Sequence, residues 1–488
     1  MTSALRAELL AVSREHCDRM AVDGGSSGQL TYAQLFSCAH ELSRCIGTMR
    51  AIGVLSNRRP ETYVAVLACF LSGVTFVPLN PSFPVERLKK IAALAEIEAI
   101  FFDETTAELA DAFVVPAIQV TLASDAVSAP GQEKTGSSAN DTDIAYRMFT
   151  SGSTGEPKGV PIPYSALDHY VRTIRECIDF PEAARFSQFF DLSFDLSIHD
   201  IFVTLACGGT LVPASDLNLM MPHAFVSKQR IDVWFSVPML AMSAARGLRA
   251  EPDHKLALAL FCGEALPMDY VRRFRALMHD DAELWNLYGP TEATIAFTAK
   301  EVDATDERYP IATLGEPFGA NRIAILDGDA VVPAAEGARG ELLLGGPQVF
   351  SGYQPPRHDP FVQSTDGAYY RSGDIVRVED GELVYEARAD SQVKIRGMRI
   401  ELSEIETAFR NRLGCDAATA IVYGELESAE IRVAYTRSDG DTDPTRLMDS
   451  LPPYMIPARS WRLDELPVNA NGKVDRKKLS EMEWPAAE

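Results

Sequence analysis

The sequence is short of basic residues and of long apolar runs. It has 488 residues, with 46 Lys and Arg against 69 Asp and Glu, so its formal net charge is −23. Proteins that bind nucleic acids or anionic membranes usually present a basic surface, and this charge therefore argues against both kinds of partner. The longest apolar stretches, such as residues 63–71, fall well short of the ~20 residues that a membrane-spanning helix needs.

Paired cysteines are also absent. The eight cysteines are scattered and form no C-x-x-C pair, so the spacing favours neither a zinc site nor a disulfide framework. Most of them lie in apolar runs, as is typical of buried thiols in a reducing compartment. Residues 1–17 contain no basic segment followed by an apolar one, so no signal peptide is predicted. We expect a cytoplasmic protein.

The pattern of apolar residues predicts an α/β protein with a separate C-terminal domain. Short apolar runs alternate with helical periodicity through residues 30–125 and again through 144–330, which predicts layered βα structure. From about 310 to 385 the runs are separated by Gly and Asp turns, as in hairpins or a small barrel. After Asp390 the order of strands and helices predicts a compact α+β domain of about 100 residues.

Residues 148–160, MFTSGSTGEPKGV, have the composition of an anion-binding loop. Glycines let backbone N–H groups surround an anion, and Ser and Thr hydroxyls add donors. Lys158 would supply the local positive charge that an acidic protein needs to bind a phosphate. The Walker pattern fits no register here. Composition alone equally fits a Ser/Gly loop with a solvated lysine.

The order of residues in this loop resembles the phosphate-binding loop of the adenylate-forming ligase superfamily. Further family motifs follow in the family's order: VPLNP at 77–81 with Asn80 in place of Asp, YGPTE at 288–292, YRSGD at 370–374, RADSQVKIRG at 388–397 with Ala387 in place of Gly, and PVNANGKVDR at 467–476. The chain thus resembles a free-standing amino-acid adenylation domain of the nonribosomal peptide synthetase type, and is similar to D-alanine–carrier protein ligases.

The resemblance implies a fold and a domain organisation. The expected fold is α/β, with a large layered N-terminal domain over residues 1–389 that holds two βα sheets and a small distorted barrel. A small mobile α+β domain would span residues 390–488. Asp390 matches the family's hinge, where rotation of the small domain separates adenylation from attack by a thiol.

The resemblance also implies that a carboxylate is joined to ATP, giving an acyl-adenylate and pyrophosphate. Lys473, Thr291 and Lys158 would be catalytic, and Glu292 would hold Mg²⁺, a hard cation that prefers oxygen ligands. Tyr288 would lie against adenine, and Asp374, assisted by Arg388, would accept hydrogen bonds from the ribose hydroxyls. The expected nucleotide-binding residues are Thr150, Ser151, Gly152, Ser153, Thr154, Gly155, Tyr288, Asp374 and Arg388.

Residues 194–202, FDLSIHDIF, match the family segment that contacts the acid. In amino-acid-activating members the residue at Asp195 pairs with the substrate's α-ammonium group. Aryl- and fatty-acid members lack this carboxylate, since a buried unpaired charge would be costly. Alternatively, Asp195 is a helix N-cap. The other pocket positions that match by motif are Leu196, His199, Ser236, Leu260, Cys262, Leu287, Ile295 and Ala296, with Lys473 closing the pocket.

The residues at these pocket positions are mostly apolar and uncharged, which predicts a small or medium neutral amino acid as substrate. His199 would be either a polar contact or a space-filler. No G-G-x-S carrier motif follows Lys473, so we expect a free-standing enzyme whose acceptor is the phosphopantetheine thiol of a carrier protein supplied in trans. The setting would be antibiotic or cell-wall assembly.

Carrier proteins are typically acidic, so docking would need a local basic patch. The candidates, which equally fit a solvated terminus, are Arg459, Arg462, Arg476, Lys477 and Lys478. Three alternative functions remain at this point: an acyl- or aryl-CoA ligase, an enzyme that passes the adenylate directly to an amine, and a degenerate nucleotide-binding regulator. The last would have lost a catalytic position, and none of those named above is lost.

Overall fold

The computed structural model describes residues 3–122, 143–150, 157–357, 359–390, 392–424, 428–438, 447–468 and 474–485. The α-helices are α1 (Ala4–Glu15), α2 (Tyr32–Ser43), α3 (Pro60–Ser72), α4 (Val85–Leu94), α5 (Ala107–Ala110), α6 (Tyr164–Cys177), α7 (Leu196–Ala206), α8 (Asp216–Met220), α9 (Pro222–Gln229), α10 (Pro238–Gly247), α11 (Met268–Phe274), α12 (Leu402–Leu413) and α13 (Arg476–Glu481).

The strands of the two larger mixed sheets are β1 (Met20–Asp23), β2 (Gln29–Thr31), β3 (Ala51–Leu55), β4 (Thr75–Pro78), β5 (Ala99–Phe102), β6 (Ala117–Gln119), β7 (Ile144–Thr150), β8 (Lys158–Pro163), β9 (Arg185–Gln188), β10 (Thr210–Pro213), β11 (Val233–Ser236), β12 (Leu256–Phe261), β13 (Met278–Tyr288), β14 (Thr298–Glu301) and β15 (Glu316–Pro317). The remaining strands are β16 (Arg322–Asp327), β17 (Ala330–Pro333), β18 (Arg339–Gly345), β19 (Phe361–Ser364), β20 (Gly367–Glu379), β21 (Glu382–Arg388), β22 (Gln392–Ile395), β23 (Met398–Glu401), β24 (Cys415–Tyr423), β25 (Glu430–Ser438) and β26 (Arg459–Leu463).

The larger part of the chain is built on two sheets whose central strands are parallel. One has the order β15-β14-β13-β12-β11-β9-β10-β1-β2 and is parallel from β13 to β1; the other has the order β6-β5-β3-β4-β7-β8. Strands buried on both faces read as continuous apolar runs, and β3, with the sequence AIGVL and all five residues buried, is an example. The two predicted βα sheets are confirmed.

The region predicted as a small barrel is a six-stranded antiparallel sheet. Its strands follow the order β17-β16-β18-β20-β19, and β21 pairs with β20. In the C-terminal part, β24, β25 and β26 form a three-stranded sheet against which α12 packs, while β22 and β23 form a hairpin. This is the predicted α+β arrangement.

The chain divides into two compact units, and the division falls between Ala389 and Asp390. The smaller unit also includes Pro81–Ile91 and Phe149–Lys158, which the prediction from sequence gave to the N-terminal domain. Within this unit, Arg87 Nη1 donates to Glu404 Oε1 over 2.6 Å, and both side chains are almost fully buried. A buried, hydrogen-bonded ion pair of this kind connects the segment Pro81–Ile91 to α12.

The core clusters of the larger unit are apolar and extensive. One lies under α2, α3, α6 and α7, and a second lies around α9, α10 and α11. The eight cysteines, all among the described residues, form no disulfide with one another. Within the part of the chain that the structure describes, no helix combines the length and the apolar character needed to span a membrane.

Candidate active site

A hydrogen-bonded triad lies where β20 and β21 meet the end of β13. Asp374 faces Arg388 across the hairpin, and its Oδ1 accepts from Arg388 Nη1 over 2.9 Å. Its Oδ2 accepts from the Tyr288 hydroxyl over 2.6 Å. The positive φ of 75° at Gly373 turns the strand at this point, a conformation that suits glycine. Burial and the neighbouring Asp374 carboxylate raise the pKa of Tyr288 well above its usual value.

The triad fits a nucleotide ribose. A carboxylate has about four acceptor positions, so Asp374 can accept two further hydrogen bonds beside those from Arg388 and Tyr288. The Arg388 guanidinium also donates to the Ser372 carbonyl over 3.1 Å, which fixes its orientation. The predicted contact between Tyr288 and adenine stays a prediction, since the structure defines only the hydrogen bond from its hydroxyl to Asp374.

Glu292 is fully buried in a short 3₁₀ turn that follows β13. The Tyr353 hydroxyl donates to Glu292 Oε1 over 2.8 Å, and the Phe350 N–H donates to the Glu292 carbonyl. Such contacts orient a carboxylate before it meets a metal ion. Thr291, immediately before it, is only half-buried.

Glu292 fits the predicted magnesium site in its chemistry. Mg²⁺ is usually held by one or two carboxylates together with substrate phosphates and waters rather than by a complete protein cage. Among the described residues, no cluster of three or more His, Cys, Asp or Glu side chains could hold a metal ion by itself. One oriented carboxylate is therefore what the protein would contribute here.

The loop that carries Ile295 and Ala296 is clamped by the fully buried Gln348. Its Nε2 donates to the carbonyls of Ala293, Thr294 and Ala296, at 3.3, 3.2 and 2.7 Å. The clamp holds a strained backbone, because Thr294 and Ile295 both have positive φ, of 58° and 72°.

The same loop lies close against the end of β13. A Cβ at Gly289 would come within 2.8 Å of the Ala296 Cα, so only glycine permits this approach. The Phe297 N–H donates to the Tyr288 carbonyl over 2.7 Å. The backbone thus holds the predicted pocket positions on the loop to the predicted nucleotide-binding residues around Tyr288.

Asp195 is the N-cap residue of α7, but its side chain makes no capping hydrogen bond. It is 8% exposed. The capping role that the sequence left open is therefore not the role of its carboxylate in this structure. A buried carboxylate that does not cap its helix fits the recognition of a cationic group.

The other predicted pocket residues are all buried. Leu196, Leu260, Cys262, Leu287, Ile295 and Ala296 belong to one apolar cluster. The adjoining parallel strands β12 and β13 bring Leu260, Cys262 and Leu287 to their carboxyl ends, and the carboxyl ends of parallel strands are where α/β proteins bind ligands.

Ser236 behaves differently from these positions. Its hydroxyl accepts from Trp234 Nε1 over 2.7 Å and donates to the Val237 carbonyl over 2.9 Å. Trp234 belongs to the second core cluster and lies two residues before Ser236, on the same face of β11. The hydroxyl is thus satisfied by protein groups, and a contact between Ser236 and substrate stays a prediction.

The remaining predicted residues lie in the smaller unit or outside the described residues. Ser151, Gly152, Ser153, Thr154, Gly155 and Lys473 lie outside the described residues. Thr150 ends β7 and Lys158 begins β8, both in the smaller unit, and the buried Thr150 hydroxyl has no hydrogen-bond partner among the described residues. Asp390 begins the C-terminal segment of that unit, where its Oδ1 accepts from the Gln392 N–H.

The five cations proposed for docking are not equally available. Arg476 donates to Glu406 over 2.7 Å, and Arg459 lies 3.8 Å from Glu430. Lys477 is 3.9 Å from Glu481, one turn further along α13. A patch partly neutralised in this way has a weaker positive field than the sequence suggested.

Sequence reasoning missed three residues beside the site. Tyr353 orients Glu292, Gln348 clamps the pocket loop, and the buried Tyr170 hydroxyl lies 2.7 Å from His199 Nδ1. None belongs to a motif that named its role. The only signal was a polar residue inside an apolar stretch, as at Gln348 in GPQVF, which marks a buried group that needs partners.

Comparison with known proteins agrees with this geometry. The model of the AMP-binding enzyme family matches residues 10–354. An L-proline–[L-prolyl-carrier protein] ligase of Streptomyces coelicolor is 32% identical, over 96% of this chain and 94% of that protein. A D-alanine–D-alanyl carrier protein ligase of Bacillus licheniformis is 30% identical, over 93% of this chain and 94% of that protein.

Several other relatives are longer synthetases, of which the chain spans 44% or less. Among solved structures, the Vibrio cholerae adenylation domain AlmE in complex with glycyl-adenosine-5'-phosphate is similar, with a TM-score of 0.86 and 27% identity over 99% of this chain and 98% of that one. The chain belongs to the AMP-binding enzyme family and is an adenylate-forming ligase.

Proposed function

We propose that the protein activates a small or medium neutral amino acid with ATP, releases pyrophosphate, and transfers the aminoacyl group to the phosphopantetheine thiol of a separate carrier protein. The observation that carries the proposal is Asp195, a buried carboxylate at the start of α7 that does not cap its helix. It would pair with the α-ammonium of the substrate, while the apolar wall around it accepts an uncharged side chain.

The first step joins two anions. The substrate carboxylate oxygen forms a bond to the α-phosphorus of ATP, and the bond to pyrophosphate breaks. Asp374 and Arg388 would hold the ribose, and Thr291 would contact the phosphate. Lys158 and Lys473 would supply positive charge for the approach of the carboxylate. Mg²⁺ held by Glu292 would neutralise phosphate charge.

The second step is acyl transfer. The carrier thiolate would attack the carbonyl carbon of the adenylate, and the bond to AMP would break with its oxygen leaving on the phosphate. Rotation of the small domain about Asp390 would exchange Lys473 for the thiol. The printed names of the two carrier protein ligases described above support a carrier protein as acceptor.

The experiment is exchange of labelled pyrophosphate into ATP, screened over neutral amino acids of both configurations and over the same acids without the amino group. We expect exchange with a small or medium neutral amino acid and none with its deamino partner. Exchange only with acids that lack the amino group would overturn the proposal in favour of an acyl- or aryl-CoA ligase.

Transfer is tested separately, with the activated amino acid offered to a phosphopantetheinylated carrier protein, to free coenzyme A and to simple amines. Mass spectrometry should find the aminoacyl thioester on the carrier protein. Formation of an amide with no thioester would contradict the second step and leave the first intact.

A further inference from the structure

Tyr170 and His199 form a buried pair between α6 and α7. The Tyr170 hydroxyl lies 2.7 Å from His199 Nδ1, and both residues are at most 1% exposed. The imidazole packs against Phe235, with ring centroids 4.3 Å apart, and against Phe180 at 6.3 Å. Such an apolar shell disfavours the imidazolium, and burial lowers the pKa of His199 to about 3. The ring is therefore neutral at physiological pH.

The tautomer of the neutral ring follows from the hydrogen bonds. If Tyr170 donates to Nδ1, the phenol proton is used and the ring proton is on Nε2. If Nδ1 donates instead, the phenol proton needs another acceptor, and the described part of the chain offers the Tyr170 hydroxyl no hydrogen-bonding atom other than His199 Nδ1. The first arrangement satisfies more groups, so His199 Nε2 carries the hydrogen and is a donor.

The fold leaves the Nε2–H group of His199 unsatisfied. His199 Nε2 is fully buried and has no hydrogen-bond partner among the described residues. An unsatisfied buried donor costs about 1–3 kcal/mol, so a group that accepts this hydrogen bond gains binding energy.

The donor lies where a substrate side chain would be. His199 follows Asp195 by four residues, so the two share a face of α7 at a separation of about 6 Å along the axis. Burial raises the pKa of Tyr170 well above its usual value, and the nearby Asp195 carboxylate adds to this shift. An amino acid with its ammonium group at Asp195 would therefore direct its side chain toward His199.

Resting on the function proposed above, we propose that His199 Nε2 donates a hydrogen bond to the side chain of the substrate and that Tyr170 is the residue that positions it. The substrate class is then narrower than neutral amino acids. It consists of amino acids with a hydrogen-bond acceptor, a hydroxyl or a carboxamide oxygen, on the β or γ carbon. A purely apolar side chain of the same shape leaves the donor unsatisfied.

The test compares isosteric substrate pairs in pyrophosphate exchange: serine with 2-aminobutyrate, and threonine with valine, each in both configurations. Wild-type kcat/KM should favour the hydroxyl partner about 10–100-fold, the equivalent of one unsatisfied buried donor. Equal values, or a preference for the apolar partner, would overturn the inference. If no amino acid supports exchange but deamino acids do, the proposed function itself fails, and the two failures are thus distinct.

The positioning role of Tyr170 is tested with Tyr170→Phe. Loss of the hydroxyl frees the imidazole to take either tautomer, so the ratio of kcat/KM within each pair should fall about tenfold toward unity. The control is Tyr164→Phe on the same helix, equally buried, whose hydroxyl donates to the Phe70 carbonyl. This control should keep the wild-type ratio. An unchanged ratio in Tyr170→Phe would contradict the positioning role.

A further variant keeps the inference testable if Tyr170→Phe folds poorly. His199→Gln retains an amide donor near the place of Nε2, whereas His199→Leu removes it. We expect Gln to keep part of the preference for the hydroxyl partner and Leu to lose it or reverse it. The same ratio in both variants would mean that the residue fills space only.

Discussion

The nucleotide end and the acid end of the site are built on different principles. At the nucleotide end, Asp374 accepts from two fixed donors, and Glu292 accepts from Tyr353. At the acid end, His199 Nε2 is buried and has no hydrogen-bond partner among the described residues, and the same holds for Oδ2 of Asp200, the next residue of α7. The carboxylates at the nucleotide end are thus held by fixed protein donors, whereas the acid end has a buried donor for which the described residues provide no partner.

This difference has a physical meaning. Groups that bind a constant part of the reaction can be held in place by permanent partners, because their geometry never needs to change. Groups that select among substrates gain discrimination when their hydrogen bonds are completed only by the correct side chain. On the function proposed above, the contrast would separate the part of the site that recognises ATP from the part that chooses the acid.

The largest effect is expected for Asp374→Asn. The amide would present its NH₂ group to donors, Arg388 or Tyr288, and would lose acceptor positions for the ribose. We expect kcat/KM for ATP to fall about 1,000-fold, as two hydrogen bonds to a charged group are lost, with little change in the KM of the amino acid. The control is Asp380→Asn in the exposed turn of the same hairpin. An equal rise in the KM for ATP and in the KM for the amino acid would mean that the nucleotide end and the acid end do not act separately.

Gln348→Ala should have the next largest effect, on stability. The carbonyls of residues 293, 294 and 296 would lose their donor inside the core. We expect the free energy of unfolding to fall by about 3 kcal/mol, measured by chemical denaturation. Gln363→Ala, an exposed glutamine on β19, is the matched control. Similar values for the two variants would show that the clamp contributes nothing.

Tyr353→Phe removes one hydrogen bond from Glu292 and leaves the carboxylate in place. Loss of an orienting partner typically weakens a metal site about tenfold, so the Mg²⁺ concentration for half-maximal exchange should rise about tenfold. Tyr309→Phe is the control, because its hydroxyl donates to the carbonyl of Glu379 instead. An unchanged Mg²⁺ requirement in Tyr353→Phe would contradict this role.

The smallest effect expected is on the pH dependence of stability at the acid end. Burial raises the pKa of Asp200 well above its usual value, so the folded protein keeps a proton that the unfolded chain releases. The stabilisation is fully present below the ordinary pKa of about 3.9 and is lost as the pH rises, by up to about 1.4 kcal/mol per pH unit. Asp200→Asn should flatten this slope between pH 5 and pH 6.

The control for this measurement is Asp111→Asn, an exposed carboxylate near the end of α5. Its free energy of unfolding should follow the wild-type pH dependence. If the free energy of unfolding of Asp200→Asn changes with pH as steeply as that of the wild type, Asp200 is ionised in the folded protein.

Much of this fold could be predicted from the sequence, because its signals are local. The apolar runs at 51–55 and 99–102 have the bounds of β3 and β5, and the collinear motifs indicated the family that the comparisons confirm. The path of the sheet at 322–388 was not predictable, because β-strand pairing is set by contacts distant in sequence.

The candidate site divides in the same way. Motifs named Asp374, Glu292 and Asp195, since their chemistry is tied to fixed spacing. They did not name Gln348 or Tyr170, whose partners lie in other parts of the chain: the first holds a loop about 50 residues away, and the second meets His199 on the next helix.

The measurement that tests the central claim most directly is exchange with an amino acid and its deamino analogue, in the wild type and in Asp195→Asn. The claim predicts that the variant loses roughly 100-fold or more in kcat/KM for the amino acid, as a buried ion pair is broken, while the affinity for ATP is kept. Unchanged exchange of the amino acid in Asp195→Asn would contradict the claim that this carboxylate recognises the substrate's ammonium group.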